Sequence, residues 1–318
     1  MSVTKESRLY VFPYDEIFRT KTFAHPVKIN DHMGGFDEQM HCKVLDHIDK
    51  HSQGTVQVIT DYRFSNGRLD QYPNLCFSWQ PTWVNDCFRD YHSHPDLRHE
   101  NFLCSFNGTG HVGRQLLVAL LHRMGWFDPV YSSKNFVFTE DNIDGHLQNY
   151  LDPAQHRLYR KFFIGNDSLD FFTKRTGFGH VQYDHANNIF NLEHKLTGSF
   201  VNLVSESMPT SSYPFVTEKF CYSVITHGLF VAFAQSGWHQ HLETHYGFKP
   251  FKRIFDYRFD AIANPVLRCV ELISMLSKFS RLGTADWHDL HDMERDTLEY
   301  NYDHYFSGGY LEHRCSLE

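Results

Sequence analysis

A short apolar run, a polar loop and an amphipathic helix recur in that order, and this alternation constrains the fold more than any other feature. Phe200–Val204 is an apolar run of strand length, Ser205–Pro214 is a polar loop, and Phe215–His227 has helical character. Gly228 stops that helix, and Leu229–Ala234 begins the next apolar run. An earlier segment repeats the order. Asn101–Phe106 is apolar, Asn107–Gly113 carries three glycines in seven residues, and Leu116, Leu117, Leu120, Leu121 and Met124 follow at helical spacing. A further helix is marked by Asn264 as N-cap and Pro265 at its first position; Val266, Cys269, Val270, Ile273, Leu276 and Phe279 line one face and Gly283 closes it. Strands that alternate with helices predict an α/β fold whose sheet is parallel and covered on both faces.

A chain of 318 residues is long enough for two cores. Thr55–Thr60 is β-branched and predicts a strand ending at Asp61; Asn66–Gly67 marks the turn beyond it. Pro81–Glu100 has little periodicity, and His94–Pro95–Asp96 reads as a connection. The organisation expected is residues 1–98 as one domain, 99–283 as a second, and 284–318 as a helical tail. In that tail Met293–Tyr300 suits a helix that Ser307–Gly309 breaks.

The formal charge is −8 and no block of five or six basic residues occurs, so a broad nucleic-acid footprint is not evident. No run approaches the roughly 20 apolar residues of a spanning helix, and MSVTKESRLYVF lacks a secretory pattern. Seven dispersed cysteines without a CxxC pair suit reduced thiols. These features lead to the expectation of a soluble cytoplasmic protein without a membrane span.

Two segments can carry chemistry. A glycine-rich turn between strand and helix, as at Asn107–Gly113, can present backbone N–H groups to an anion. Asn107 and Gly108 lie in that turn, and Arg114 could grip phosphate oxygens in a fork; a plain tight turn with a surface arginine explains the run about as well. It is neither a P-loop nor a dinucleotide fingerprint. In Tyr213–Lys219 (YPFVTEK), Thr217 can cap the following helix and Glu218 suits its first turn. Lys219 fits that position poorly, because a cation at a helix start opposes the macrodipole, and it calls for a nearby anion.

Phe200–Lys219 (FVNLVSESMPTSSYPFVTEK) resembles the donor-binding motif of the α1,3-fucosyltransferase family. That motif is an apolar strand, Glu-Asn-Ser, a short loop, an aromatic, and Val/Ile-Thr-Glu-Lys opening a helix. Thr217, Glu218 and Lys219 match directly; Ser205–Glu206–Ser207 replaces Glu-Asn-Ser, and Tyr213 stands near the aromatic position. Cys104–Arg114 is similar to the family's upstream segment in which an arginine opens the helix after a strand. The resemblance covers residues 102–282, and Tyr246–Phe251 with Asp256 and Asp260 also resembles viral and phage glycosyltransferase-like proteins. It implies a GT-B glycosyltransferase of two Rossmann-like domains with parallel sheets facing a central cleft. It further implies that Arg114 and Lys219 contact the diphosphate of a nucleotide sugar and that Glu218 contacts the ribose. The nucleotide sugar would be a co-substrate, with no separate cofactor and no metal.

Transfer to a hydroxyl acceptor needs a base. Asp61, at a strand end, is the first candidate, ahead of Asp86 and Glu16; a solvated turn aspartate is the simpler account of each. The acceptor stays open between a glycan, a small molecule and a hydroxylated DNA base. Two other functions compete. One is a metal-dependent hydrolase around His239, His241 and His245 with Glu243, although His-Leu-Glu-Thr-His is not the metalloprotease order. The other is a non-catalytic nucleotide-binding module.

Overall fold

The computed structural model describes residues 8–11, 15–30, 38–60, 71–79, 88, 91, 96–164, 169–177, 185–206, 209, 214 and 216–312. The chain forms two compact units, Met1–Asn85 with Ser211–Tyr213, and Asp86–Thr210 with Pro214–Glu318. Both are built on parallel strands.

The first unit contains β1 (Arg8–Val11), α1 (Asp15–Arg19), β2 (Val27–Asn30), α2 (Glu38–Lys50), β3 (Val56–Thr60) and β4 (Leu75–Trp79). Its four strands pair in parallel in the order β1-β2-β3-β4. The sequence marks β3 by its β-branched Val56, Val58, Ile59 and Thr60, whereas β1, β2 and β4, of four or five residues, carry no such run. Val27, Ile29, Val56 and Val58 from the strands meet Val44, Leu45 and Ile48 of α2 to make the core.

The second unit begins with β5 (Asn101–Cys104), β6 (Phe106–Asn107), α3 (Val112–Arg123) and β7 (Ser133–Lys134). There follow α4 (Glu140–Tyr150), α5 (Pro153–Phe163), α6 (Leu169–Thr173), α7 (His185–Thr197), β8 (Ser199–Ser205), α8 (Glu218–Ile225) and β9 (Phe230–Phe233). It closes with α9 (Trp238–His241), α10 (Pro265–Leu276), α11 (Thr284–Met293), α12 (Arg295–Phe306) and α13 (Gly309–Glu312). β8 lies between β5 and β9, and β6 pairs with β7; every one of these ladders is parallel. β8 and β9 are buried along their whole length, as strands covered on both faces should be.

The α/β class and the parallel sheets agree with the sequence. Asn264 caps α10 as expected, accepting from the Val266 and Leu267 amides at 3.0 and 3.2 Å. The far end differs: α10 stops at Leu276, and Gly283 instead occupies the N-cap of α11. A run of turns fills the interval, and Phe279 and Leu282 belong to those turns. The last helices pack on the second unit, since Trp287, Leu298, Tyr305 and Tyr310 are buried.

Two buried cations hold loops by their carbonyls. Lys134 on β7 donates to the carbonyls of Phe136, Phe172 and Lys174, with the Phe171 and Phe138 rings 5.1 and 5.5 Å away. Burial lowers its ammonium pKa to about 8. Arg268 of α10 donates to Ala234, Ile262, Ala263 and Pro209 carbonyls, which joins the end of β9 to two loops.

The cysteines divide by depth. Cys104, Cys221 and Cys269 of the second unit are buried, whereas Cys42 is partly exposed and Cys76 exposed in the first. Among the described residues no helix is long and apolar enough to cross a membrane.

Candidate functional site

In the second unit β6 and β7 form a two-stranded sheet of their own beside the three-stranded β5-β8-β9 sheet. The chain leaves β6 through α3 and returns as β7, whereas it leaves β8 through α8 and returns as β9. β6 and β8 are neighbours, with the Ser205 hydroxyl donating to the Phe106 carbonyl at 3.2 Å. Two connections therefore leave neighbouring strands for different partners, one to β7 and one to β9, an arrangement similar to the switch point where open parallel sheets bind ligands. Arg114, Glu206, Thr217, Glu218 and Lys219 come from these two connections.

Arg114 is buried in the first turn of α3. Its Nε and Nη2 donate to the Ser205 carbonyl at 3.2 and 3.1 Å, and its Nη1 donates to the Thr109 carbonyl at 3.4 Å. Burial lowers the pKa of its guanidinium, and the nearby Glu206 and Glu218 carboxylates oppose that shift. Arg114 thus fastens α3 to the end of β8 and supplies positive charge at the same point.

Glu206 is only 1% exposed. Its Oε1 accepts from the Thr217 amide at 2.8 Å, so one carboxylate joins the residue after β8 to the N-cap of α8. Its Oε2 is buried without a hydrogen-bond partner among the described residues. Burial pushes this carboxyl up to about 7, with Lys219 and the Thr217 bond pulling down and Glu218 pushing further up.

Thr217 is the N-cap of α8, its hydroxyl accepting from the Lys219 amide at 3.4 Å. Lys219 Nζ meets Glu218 Oε1 at 2.6 Å, and both side chains are about nine-tenths buried. The anion that a lysine at a helix start requires is therefore supplied by its own neighbour, with Glu206 close behind. His111, the N-cap of α3, belongs to the same field: burial lowers its pKa, and Arg114 and Lys219 lower it further.

The glycine run has a packing explanation at two of its positions. A Cβ on Gly113 would stand 2.4 Å from Pro209, and one on Gly110 would stand 2.9 Å from Phe136; Gly108 faces open space. Asn107 is fully buried and its amide donates to Ser105 and Ser133, so its side chain braces the strands. Beside Lys219 lies a space of about 10 Å³ lined by Cys104, Asn202 and Ser223 among others, enough for roughly one water. An open depression of about 550 Å³ is lined by Lys252–Arg258 side chains and includes none of the residues above.

Asp61 and Tyr213 lie outside the described residues, as do Asp86, Ser207 and the Asn66–Gly67 turn. Glu16 is exposed in the first turn of α1. His239 is committed to the fold. Its Nε2 accepts from the Ala232 amide at 3.0 Å, so its Nδ1 carries the proton and donates to Asp260 at 2.8 Å. Glu243 pairs with Lys252 at 2.6 Å. His241 and His245 have ring centroids 4.5 Å apart, but no group of three potential metal ligands is assembled among the described residues.

Compared with protein-family models, curated proteins and solved structures, the chain matches none.

Proposed function

We propose that the chain is a glycosyltransferase that takes a sugar from a nucleotide-sugar donor to a hydroxyl acceptor, with the GT-B organisation of two Rossmann-like domains. The observation that carries this reading is the convergence of Arg114, Glu206, Glu218 and Lys219 where the connections that follow the neighbouring strands β6 and β8 begin. The YPFVTEK resemblance supplies the substrate class. A diphosphate entering there would exchange the Lys219–Glu218 pair for a Lys219–phosphate pair and release Glu218 to ribose hydroxyls. Arg114 would contribute its charge while keeping its grip on Ser205. Transfer requires the acceptor oxygen to attack the anomeric carbon as the sugar–phosphate bond breaks, with the acceptor proton passing to a carboxylate; Asp61 remains the proposed base. The acceptor is a glycan, a small molecule or a hydroxylated base, and the protein would act as a cytoplasmic enzyme.

Calorimetry with a panel of nucleoside diphosphates and nucleotide sugars tests the reading. Lys219→Ala and Glu218→Ala are each expected to weaken the tightest ligand about 100-fold or more, the range of a lost charge-assisted contact. Their circular dichroism should match the unsubstituted chain. Unchanged affinity in both variants would reject the donor site. Binding without hydrolysis or transfer of any sugar in a mixed-donor assay would favour a nucleotide-binding module instead.

A further inference from the structure

Three histidines from two distant segments of the second unit cluster with their rings tilted to one another. The His99 ring lies 4.7 Å from the His288 ring and 4.9 Å from the His291 ring, centroid to centroid. His99 precedes β5 and is 1% exposed; the other two belong to α11. A carbonyl can only accept, so the bonds from His99 Nδ1 to Ser199 O at 3.2 Å and from His291 Nε2 to His227 O at 3.0 Å place one proton on each ring. In the neutral rings this leaves His99 Nε2 and His291 Nδ1 as lone pairs. His99 Nε2 has no hydrogen-bond partner among the described residues.

The backbone marks the same place. His99 and His227 are the two non-glycine residues with positive φ among those described, at 46° and 51°. Such strain persists where surrounding contacts enforce it. Here the His227 carbonyl is bound by His291 of α11, and its ring stacks on Tyr302 of α12 at 4.2 Å. The contacts that stabilise both strained residues therefore pass through the last helices.

We propose that the His99–His288–His291 cluster is an acid-sensitive latch, which holds α11 on the sheet while His99 and His291 are neutral and releases it when they take up protons. Protonation would place imidazolium charges within 5 Å of one another. The groups facing the cluster offer little relief. From α11 the one carboxylate acting on both His99 and His291 is Asp292, and it is bound to Arg295 of α12 at 2.7 Å. β8 presents the Ser199 carbonyl and the Phe200 ring, and the segment after α8 presents the His227 carbonyl. Burial lowers the pKa of His99 from 6.5 to about 4, with His291 and His288 adding repulsion, and lowers that of His291 with His288 and Arg295 adding repulsion; the two carbonyl bonds and Asp292 oppose the shifts. Since α11 contacts β8 and α12 contacts α8, release would also remove support from the helix that carries Glu218 and Lys219. The latch stands apart from the identity of the ligand bound there.

Hydrogen exchange read by mass spectrometry, corrected for intrinsic rates, tests this. Between pH 8 and pH 5 the opening constant of α11 peptides should rise about 30-fold, the factor one such histidine gives by linkage. Peptides of β9 should stay protected. His99→Asn, which tolerates positive φ and does not titrate, should remove most of that rise. His288→Gln at a half-buried position should weaken it and serves if His99→Asn fails to fold. An opening constant that does not change with pH, equal opening of β9, or a full acid response retained in the folded variants overturns the latch.

Discussion

Replacing Arg268 by alanine should lower the unfolding free energy of the second unit by about 3–5 kcal/mol, near the upper end for a single substitution. Arg268 is 1% exposed and its guanidinium serves four carbonyls, those of Ala234, Ile262, Ala263 and Pro209. Each carbonyl left buried without a donor costs roughly 1–3 kcal/mol before relaxation and water entry reduce the sum. Lysine would keep the charge but lose the planar fork that reaches several carbonyls together, so Arg268→Lys should recover less than half of the loss. Urea denaturation followed by near-ultraviolet dichroism measures both. A change under about 1 kcal/mol for alanine would show that the loops around β9 hold themselves. The substitution also bears on the candidate site, because Pro209 packs on Gly113 one residue before Arg114.

The second large effect is a pH-dependent gain from Glu206→Gln. Burial raises the folded carboxyl from 4.5 to about 7. Between those values the folded chain holds a proton that the unfolded chain releases, so stability falls as pH rises through the window. The full loss is about 3 kcal/mol above pH 8. Glutamine keeps an oxygen for the Thr217 amide and cannot ionise. Moving from pH 5 to pH 8 should therefore improve the variant relative to the parent by about 2–3 kcal/mol, read from denaturation at the two pH values. An identical pH dependence in the two proteins would mean that Glu206 is ionised at little cost, with Lys219 compensating its burial.

The second unit was legible because its signals are local. Asn264 and Pro265 announce α10, Thr217 announces α8, and the apolar runs at β8 and β9 are long enough to stand out. The first unit was less so, since RLYV and VKIN carry no pattern that separates them from loop segments. The candidate site was legible as a list of residues but not as an arrangement. Lys219 calls for a nearby anion, and the chain supplies Glu218 one position away. The spacing leaves Arg114 open between a phosphate grip and a surface arginine; the fold buries it, with two bonds to the Ser205 carbonyl 91 residues away and one to that of Thr109. The Glu206–Thr217 closure and the histidine cluster depend on tertiary neighbours, and spacing along a chain does not report these. The glycines of Asn107–Gly113 show the same limit: close packing and an anion cradle both ask for glycine, and only the positions of Pro209 and Phe136 distinguish them.

The depth of the cysteines gives this chain a built-in chemical clock. Burial pushes the Cys104 thiol up to about 12 and raises those of Cys221 and Cys269 as well, so in the folded second unit all three are both shielded and protonated. Cys76 lies open on β4 of the first unit. An alkylating reagent applied to the native protein should mark Cys76 within its ordinary reaction time and reach Cys104, Cys221 and Cys269 only as often as their unit opens. The masses of the Cys104, Cys221 and Cys269 peptides then time the opening of the second unit, with Cys76 as the internal reference for the reagent's own rate and no foreign probe introduced.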